Sequence, residues 1–260
     1  MIFATTFFRQ RTPFVSFAQA IAASAVLALS SGCATMAKED SHAASSERYQ
    51  KVVASPLRTA QDRQMDASRH PLEFLPFTGA RPGMRVLDVA AGAGYTSQLL
   101  ALAVAPDGTV WAQREQAGAA LTKRLADQPQ ANFIPLYRPF DDPVPSDAPK
   151  LDLITIVLNY HDITYLPVDR AKMNERWFAA LRPGGHLVVI DHSGRPGTGI
   201  SEGKTLHRID EAVVIAEATK AGFVLEAEGK FLRNPADARD QPSAPTQIPT
   251  DKFALRFVKP

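Results

Sequence analysis

Hydrophobic positions along this chain follow two alternating patterns. Short apolar runs bounded by Gly, Pro or Asp read as buried strands, and segments with apolar residues three and four apart read as helices. The strand runs are Met84–Val89, 109–113 ("TVWAQ"), 132–136 ("NFIPL", weakened by Pro135), 151–159 ("LDLITIVLN"), 186–191 ("HLVVID"), 223–228 ("FVLEAE") and 252–258 ("KFALRFV"). Helical patterns cover 57–75, 95–104, 115–128, 167–181 and 205–221. The first breaks at His70-Pro71, because the residue before a proline avoids the α region. The last stops at Gly222, a C-cap residue. Apolar strands alternating with helices imply an α/β sheet covered on both faces. The last two strands have no helix between them, so they must run antiparallel. The expectation is a mostly parallel seven-stranded sheet with an antiparallel last strand near one edge, over residues 57–260.

Composition adds the ends of the chain. An apolar fraction of 45% in 260 residues supplies a core for one large or two small domains. Residues 1–32 show signal-peptide order: Arg9 and Arg11, an uncharged apolar run from Pro13 to Leu29, then small residues. The run is shorter than the roughly 20 residues of a spanning helix. Cys33 is the single cysteine, and the small residues before it resemble the lipobox of bacterial lipoproteins, with Ser30 where an aliphatic residue is usual. The chain is therefore expected to be exported, to the periplasm or as a lipoprotein held to the membrane by a lipid on Cys33, with plain secretion as the alternative. Residues 33–56 are rich in Ala, Ser, Lys and Glu and read as a flexible tether. Removing Arg9 and Arg11 from the 29 Lys and Arg leaves 27, equal to the 27 Asp and Glu. A neutral mature domain gives no broad footprint for nucleic acid, and no protein partner is indicated.

Candidate chemistry gathers where the strands end, the place where open α/β sheets bind ligands. Asp88, Ala90, Gly92, Gly94 and Tyr95 follow the first strand, in "VLDVAAGAGY". Gln113, Arg114 and Glu115 follow the second, and Asp141 and Asp142 the third. Asn159, Tyr160, His161 and Asp162 follow the fourth, and Asp191, His192 and Ser193 the fifth. Gly92 and Gly94 let the backbone approach a ligand, and the next helix offers free N–H groups.

"VLDVAAGAGY", "LDLITIVLNYHD", "LRPGGHLVVIDH" and the final strand "DKFALRFVKP" resemble class I S-adenosylmethionine-dependent methyltransferases. "YHD", "DHSGRPGTG", "LHRIDEA" and "FLRNPADARD" are similar to a narrower family of exported bacterial predicted methyltransferases. The resemblance implies a Rossmann-like methyltransferase fold, S-adenosyl-L-methionine as cofactor and a small-molecule acceptor. By it, Ala90 to Gly94 would lie along the methionine part, with Asp88 steering the loop or the ammonium group. Asp141 or Asp142 would meet the adenine amino group, and Asn159 would line the donor pocket. Ala90 stands where the pattern has its first glycine. Gln113, or Glu115, stands where an acid usually binds the ribose.

His161 and His192, each beside an aspartate (Asp162, Asp191), are the candidate bases, with the carboxylates orienting the rings. His207 and Arg208 start the last long helix and reach the pocket or serve as helix-end residues. His161, Asp162, Asp191, His192 and His207 hold enough imidazole and carboxylate for a metal, but magnesium prefers oxygen ligands and no short-spaced His pair exists, so none is expected. Two other functions fit the residues. One is an exported methyltransferase-fold binding protein without catalysis, favoured by Ala90 and Gln113. The other is a nicotinamide oxidoreductase, which fits the glycine turn but not the antiparallel finish.

Overall fold

The computed structural model describes residues 1–2, 44–144, 148–244 and 249–260. One compact unit spans Ser46–Pro260. The expected signal segment and Cys33 lie outside the described residues. No described helix is long and apolar enough to cross a membrane. The fold begins earlier than composition predicts. Residues 44–54 form a helix, α1, rather than tether. It buries Tyr49 and Val52 in the core, and the Tyr49 hydroxyl donates to Ala80 O at 2.9 Å. One short apolar face in a polar segment is too little periodicity to read locally.

Next come α2 (Ala60–Arg69) and α3 (Pro71–Thr78), parted at His70, whose φ of 48° lies in the left-handed region. The rest alternates: β1 (Arg85–Val89), α4 (Tyr95–Val104), β2 (Thr109–Arg114), α5 (Ala119–Asp127), β3 (Phe133–Tyr137), β4 (Leu151–Val157), α6 (Tyr160–Ile163), α7 (Arg170–Ala180) and β5 (Leu181–His192). It closes with α8 (Gly203–Leu206), α9 (Glu211–Lys220), β6 (Val224–Gly229) and β7 (Lys252–Val258). The predicted helix over 205–221 is in fact two, α8 and α9. His207 sits between them with φ 52°, and Asp210 caps α9 by accepting from Ala212 N.

The strands form one sheet in the order β3-β2-β1-β4-β5-β7-β6. All pairs are parallel except those of β7, which is antiparallel to β5 and β6. Pro135 lies on the edge strand β3, where a missing N–H is tolerated. Alternate residues serve opposite faces. Val86 joins the core under α3, α4 and α5, while Leu87 and Val89 join the core under α6, α7 and α9. Each fully buried Leu or Phe there stabilises the fold by about 1.5–3 kcal/mol. Chain order reverses between β1 and β4, so their carboxyl ends open a crevice.

Candidate active site

The turn after β1 builds the floor of that crevice. Ala90, Gly92 and Gly94 have φ of 55°, 58° and 85°. Gly94 is required by packing: a Cβ there would lie 2.9 Å from Leu121 Cδ1. Gly92 is favoured by its left-handed φ rather than by packing, since its Cβ direction is open, with nothing nearer than Ala90 O at 4.0 Å. Asp88 is buried beneath, accepting from Thr155 Oγ1 at 2.7 Å and Ser97 Oγ at 2.5 Å. Burial pushes its carboxyl up to about 6, against the pull of those hydroxyls.

Helix α2 docks across the turn. Thr59 and Asp62 form a capping box at its start. Asp62 also receives a two-pronged bond from Arg124, at 2.8 and 2.7 Å. Arg124 Nε donates to Ala93 O at 2.7 Å, tying α2, α5 and the turn together. Tyr95 is buried, and its hydroxyl donates to Asp66 at 2.8 Å.

Two cavities share Ala90, Gly92 and Asn159 as a common wall. One, of about 190 Å³, reaches Glu115 and Phe140. The other, of about 120 Å³, reaches Asp88, Tyr95, Arg69 and Val157. A larger apolar cavity of about 280 Å³ lies against Trp111 and Leu136, and among the described residues no titratable side chain lines it.

Three expected donor contacts sit elsewhere. Gln113 is fully buried behind the turn. Its Oε1 accepts from Ala90 N at 3.0 Å and its Nε2 donates to Arg138 O at 2.6 Å, so it braces the loop from below. Glu115 is the acid on the cavity wall. Asp141 pairs with Lys172 at 3.0 Å, and Asp142 with Arg138 and Arg176 at 2.5 Å each. Those cations hold both acids off the cavity walls, where Phe140 stands instead.

The histidines converge after β4 and β5. His161 lies in the single turn α6, buried at 3% exposure. Its backbone N–H donates to Asp191 Oδ2 at 2.8 Å, and Nδ1 meets Asp191 Oδ1 at 2.6 Å. Its Nε2 lies 3.1 Å from Asp162 Oδ1. His207 Nδ1 reaches the same oxygen at 3.1 Å, and Tyr165 donates to it at 2.6 Å. Burial opposes a charge on His161, but Asp162 and Asp191 outweigh it and push its pKa up to about 9. Asp162 is half-buried, and its bonds to His161 and Tyr165 hold it well below the usual carboxylate range against that partial burial. His192 differs: burial and the nearby cations Lys252, His161 and Arg208 push it down to about 2. Its Nδ1 meets Thr250 Oγ1 at 2.8 Å.

These values revise the expected base roles. His161 already carries its proton at neutral pH, and His192 stays neutral there. Arg208 does not face the pocket: it is buried, binding Asp237 and the carbonyls of Ser193 and Gln241. Arg69 and Lys252 were not singled out by the sequence. They line an apolar cleft with Ile190 and Leu232, and Arg69 also lines the smaller cavity. Nothing local distinguishes Arg69 from other helical arginines; the docking of α2 brings it there.

No family model matches the chain. Its curated relatives include the ubiquinone/menaquinone biosynthesis C-methyltransferase UbiE of Shewanella sp. (strain W3-18-1), 26% identical over 72% of this chain and 68% of that protein. UbiE of Ectopseudomonas mendocina (strain ymp) is 29% identical over 47% of each chain. The demethylmenaquinone methyltransferase of Symbiobacterium thermophilum is 30% identical over 46% of this chain and 47% of that one. The match thus spans about half the length of most of these curated relatives. Among solved structures, a SAM-dependent methyltransferase from Aquifex aeolicus superposes with a TM-score of 0.56 at 19% identity, covering 77% of this chain and 98% of that one. One from Mesorhizobium loti gives 0.55 at 17%, covering 75% and 99%. By strand order, the antiparallel β7 and these likenesses, the chain has the Rossmann-like fold of class I S-adenosylmethionine-dependent methyltransferases, and the curated proteins it resembles are methyltransferases.

Proposed function

We propose that the chain transfers a methyl group from S-adenosylmethionine to a small-molecule acceptor that reacts through an anionic or electron-rich atom. The observation that carries this reading is the pair of adjoining cavities at the β1/β4 crevice. The residues present fit the donor. Phe140 offers an aromatic face for adenine and Glu115 a carboxylate for ribose hydroxyls. Asn159 offers polar atoms to the amino-acid end, over the open backbone at Gly92, while Asp88 braces the turn from beneath. When bound, S-adenosylmethionine supplies a methyl group already activated by its sulfonium charge. The side chains are left with alignment and the exclusion of water.

Cationic groups stand near the acceptor side, with His161 paired to Asp162 and Asp191. Arg69 and Lys252 line the cleft, and His161 carries its proton at neutral pH in the ion-free protein. Fixed positive charge in a buried site stabilises a phenolate, an enolate or a carboxylate-bearing acceptor. His161 works here by holding a proton at Nε2, with Asp191 fixing the ring. C-methylation, the activity named for the UbiE relatives, requires an electron-rich carbon and falls in the same class of acceptors.

Calorimetric titration of the full chain with S-adenosylmethionine and S-adenosylhomocysteine tests the reading. We expect one site for each, and absence of binding by both at high micromolar concentration overturns it. We also propose, on the sequence of residues 1–33, that the chain acts outside the cytoplasm, held by a lipid on Cys33. Cell fractionation and mass spectrometry of the mature N-terminus test this, and an unmodified Cys33 in the cytosol refutes it.

A further inference from the structure

We propose that His161, Asp162 and His207 form a binding site for a divalent ion of the zinc class, open on one side to an oxygen anion of the acceptor. His161 Nε2, His207 Nδ1 and a carboxylate oxygen of Asp162 all lie within 4.8 Å of one another. Both nitrogens stand 3.1 Å from Asp162 Oδ1. A tetrahedral zinc ion with bonds of about 2.0–2.1 Å separates its ligand atoms by about 3.3 Å, so small side-chain shifts suffice. Two imidazoles and one carboxylate are a ligand set suited to zinc-class ions rather than to magnesium.

The surroundings match such a centre. A metal-bound histidine donates its other ring N–H to a carboxylate, which fixes the tautomer and the ring. His161 does this: Nδ1 meets the buried Asp191 at 2.6 Å, leaving Nε2 toward Asp162 and His207. Three donors, from His161, His207 and Tyr165, converge on Asp162 Oδ1. Among the described residues, none donates to the other oxygen. An ion relieves that crowding by taking the place of the hydrogens that the two imidazoles point at Asp162 Oδ1. Access is open, since the side chains of His207 and Asp162 are 45% and 33% exposed. Three protein ligands leave a fourth position for water or acceptor oxygen, as at catalytic rather than structural zinc sites.

A bound ion would take the place of the proton that His161 Nε2 holds in the ion-free protein; the existence of the site does not rest on methyl transfer, and only the identity of its fourth ligand rests on the function proposed above. The test uses the full chain, purified without a polyhistidine tag and stripped with chelator. Zinc uptake is followed by calorimetry, and cobalt(II) uptake by visible absorption. We expect one equivalent of zinc and the d–d bands of a low-coordinate cobalt centre. His207→Gln and Asp162→Asn should weaken uptake by more than the roughly 10–100-fold typical of an outer partner, the loss expected for Asp191→Asn. His186→Gln, at a histidine on β5 paired with Glu226, should bind as wild type. Circular dichroism checks that each variant is folded. Absence of uptake by the wild type, or equal uptake by wild type and His207→Gln, overturns the proposal. S-adenosylhomocysteine titration of the same samples separates the two readings: zinc without the nucleoside sinks methyl transfer alone, and the reverse sinks the ion site alone.

Discussion

Gln113 occupies the strand end where this superfamily was expected to place a ribose-binding acid, which makes Gln113→Glu an informative substitution. If the side chain faced the donor, the new carboxylate would tighten binding. The structure requires the opposite, because Gln113 is fully buried and both ends of its amide are used. An ionised glutamate would still accept from Ala90 N but could not donate to Arg138 O. A buried carbonyl left unpaired costs about 1–3 kcal/mol, and a buried charge costs more. The variant side chain therefore folds protonated, its O–H directed at Arg138 O, with its pKa raised above the unfolded value of about 4.3. An acid with a raised folded pKa costs nothing below its unfolded pKa. It destabilises progressively as pH rises toward the folded one, by about 1.4 kcal/mol per unit. Between about pH 5 and pH 7 the variant should lose about 3 kcal/mol relative to wild type, or roughly 5–12 °C in Tm for a domain of this size. Urea denaturation of both proteins at the two pH values measures the loss, and calorimetry at the lower pH measures S-adenosylmethionine affinity. A pH-independent stability difference, or binding about tenfold tighter in the variant, refutes the assignment of Gln113 to the loop brace.

Four further outcomes follow from the same geometry. Ala90→Gly relieves a left-handed alanine at about 1–2 kcal/mol, less about 0.4–1 kcal/mol of unfolded-chain entropy, so thermal melts should show equal or slightly higher stability; Gly94→Ala, at φ 85° with Leu121 2.9 Å from the new Cβ, should cost about 2–5 kcal/mol. Arg124→Ala leaves Asp62 charged and 1% exposed, which should cost about 3–5 kcal/mol and weaken donor binding as the hold on Ala93 O is lost; a neutral effect in denaturant would show that α2 does not secure the turn. In chelator-treated protein, the raised pKa of His161 contributes stability below about pH 6.5 that disappears as pH rises through about 9, an effect of about 3 kcal/mol; urea midpoints of His161→Gln should lack that alkaline decline.

Much of the fold was legible because strand and helix periodicity is local. The α4 boundaries, the break at His70 and the antiparallel ending all follow from patterns within a few residues, and they reappear in the structure. Misreadings occurred where a distant partner decides the outcome. α1 is helical against the body because Tyr49 finds Ala80, 31 residues away. The helix read over 205–221 breaks because the chain turns at His207 and Arg208, where Arg208 is drawn to Asp237. Asp141 and Asp142 looked free at a strand end, but α7 supplies Lys172 and Arg176 against them.

The sequence by itself determined the α/β class, the glycine turn and the gathering of acids and histidines at one end of the sheet. All three depend on alternation and spacing, which neighbouring residues impose on the backbone. Only the tertiary structure decided which of those side chains meet. His161 pairs with Asp191 across 30 positions, and His207 with Asp162 across 45, because β4, β5 and the α8 turn end side by side. Burial at that junction sets their charges. No local pattern distinguishes a histidine held protonated by two carboxylates from one kept neutral beside lysine and arginine.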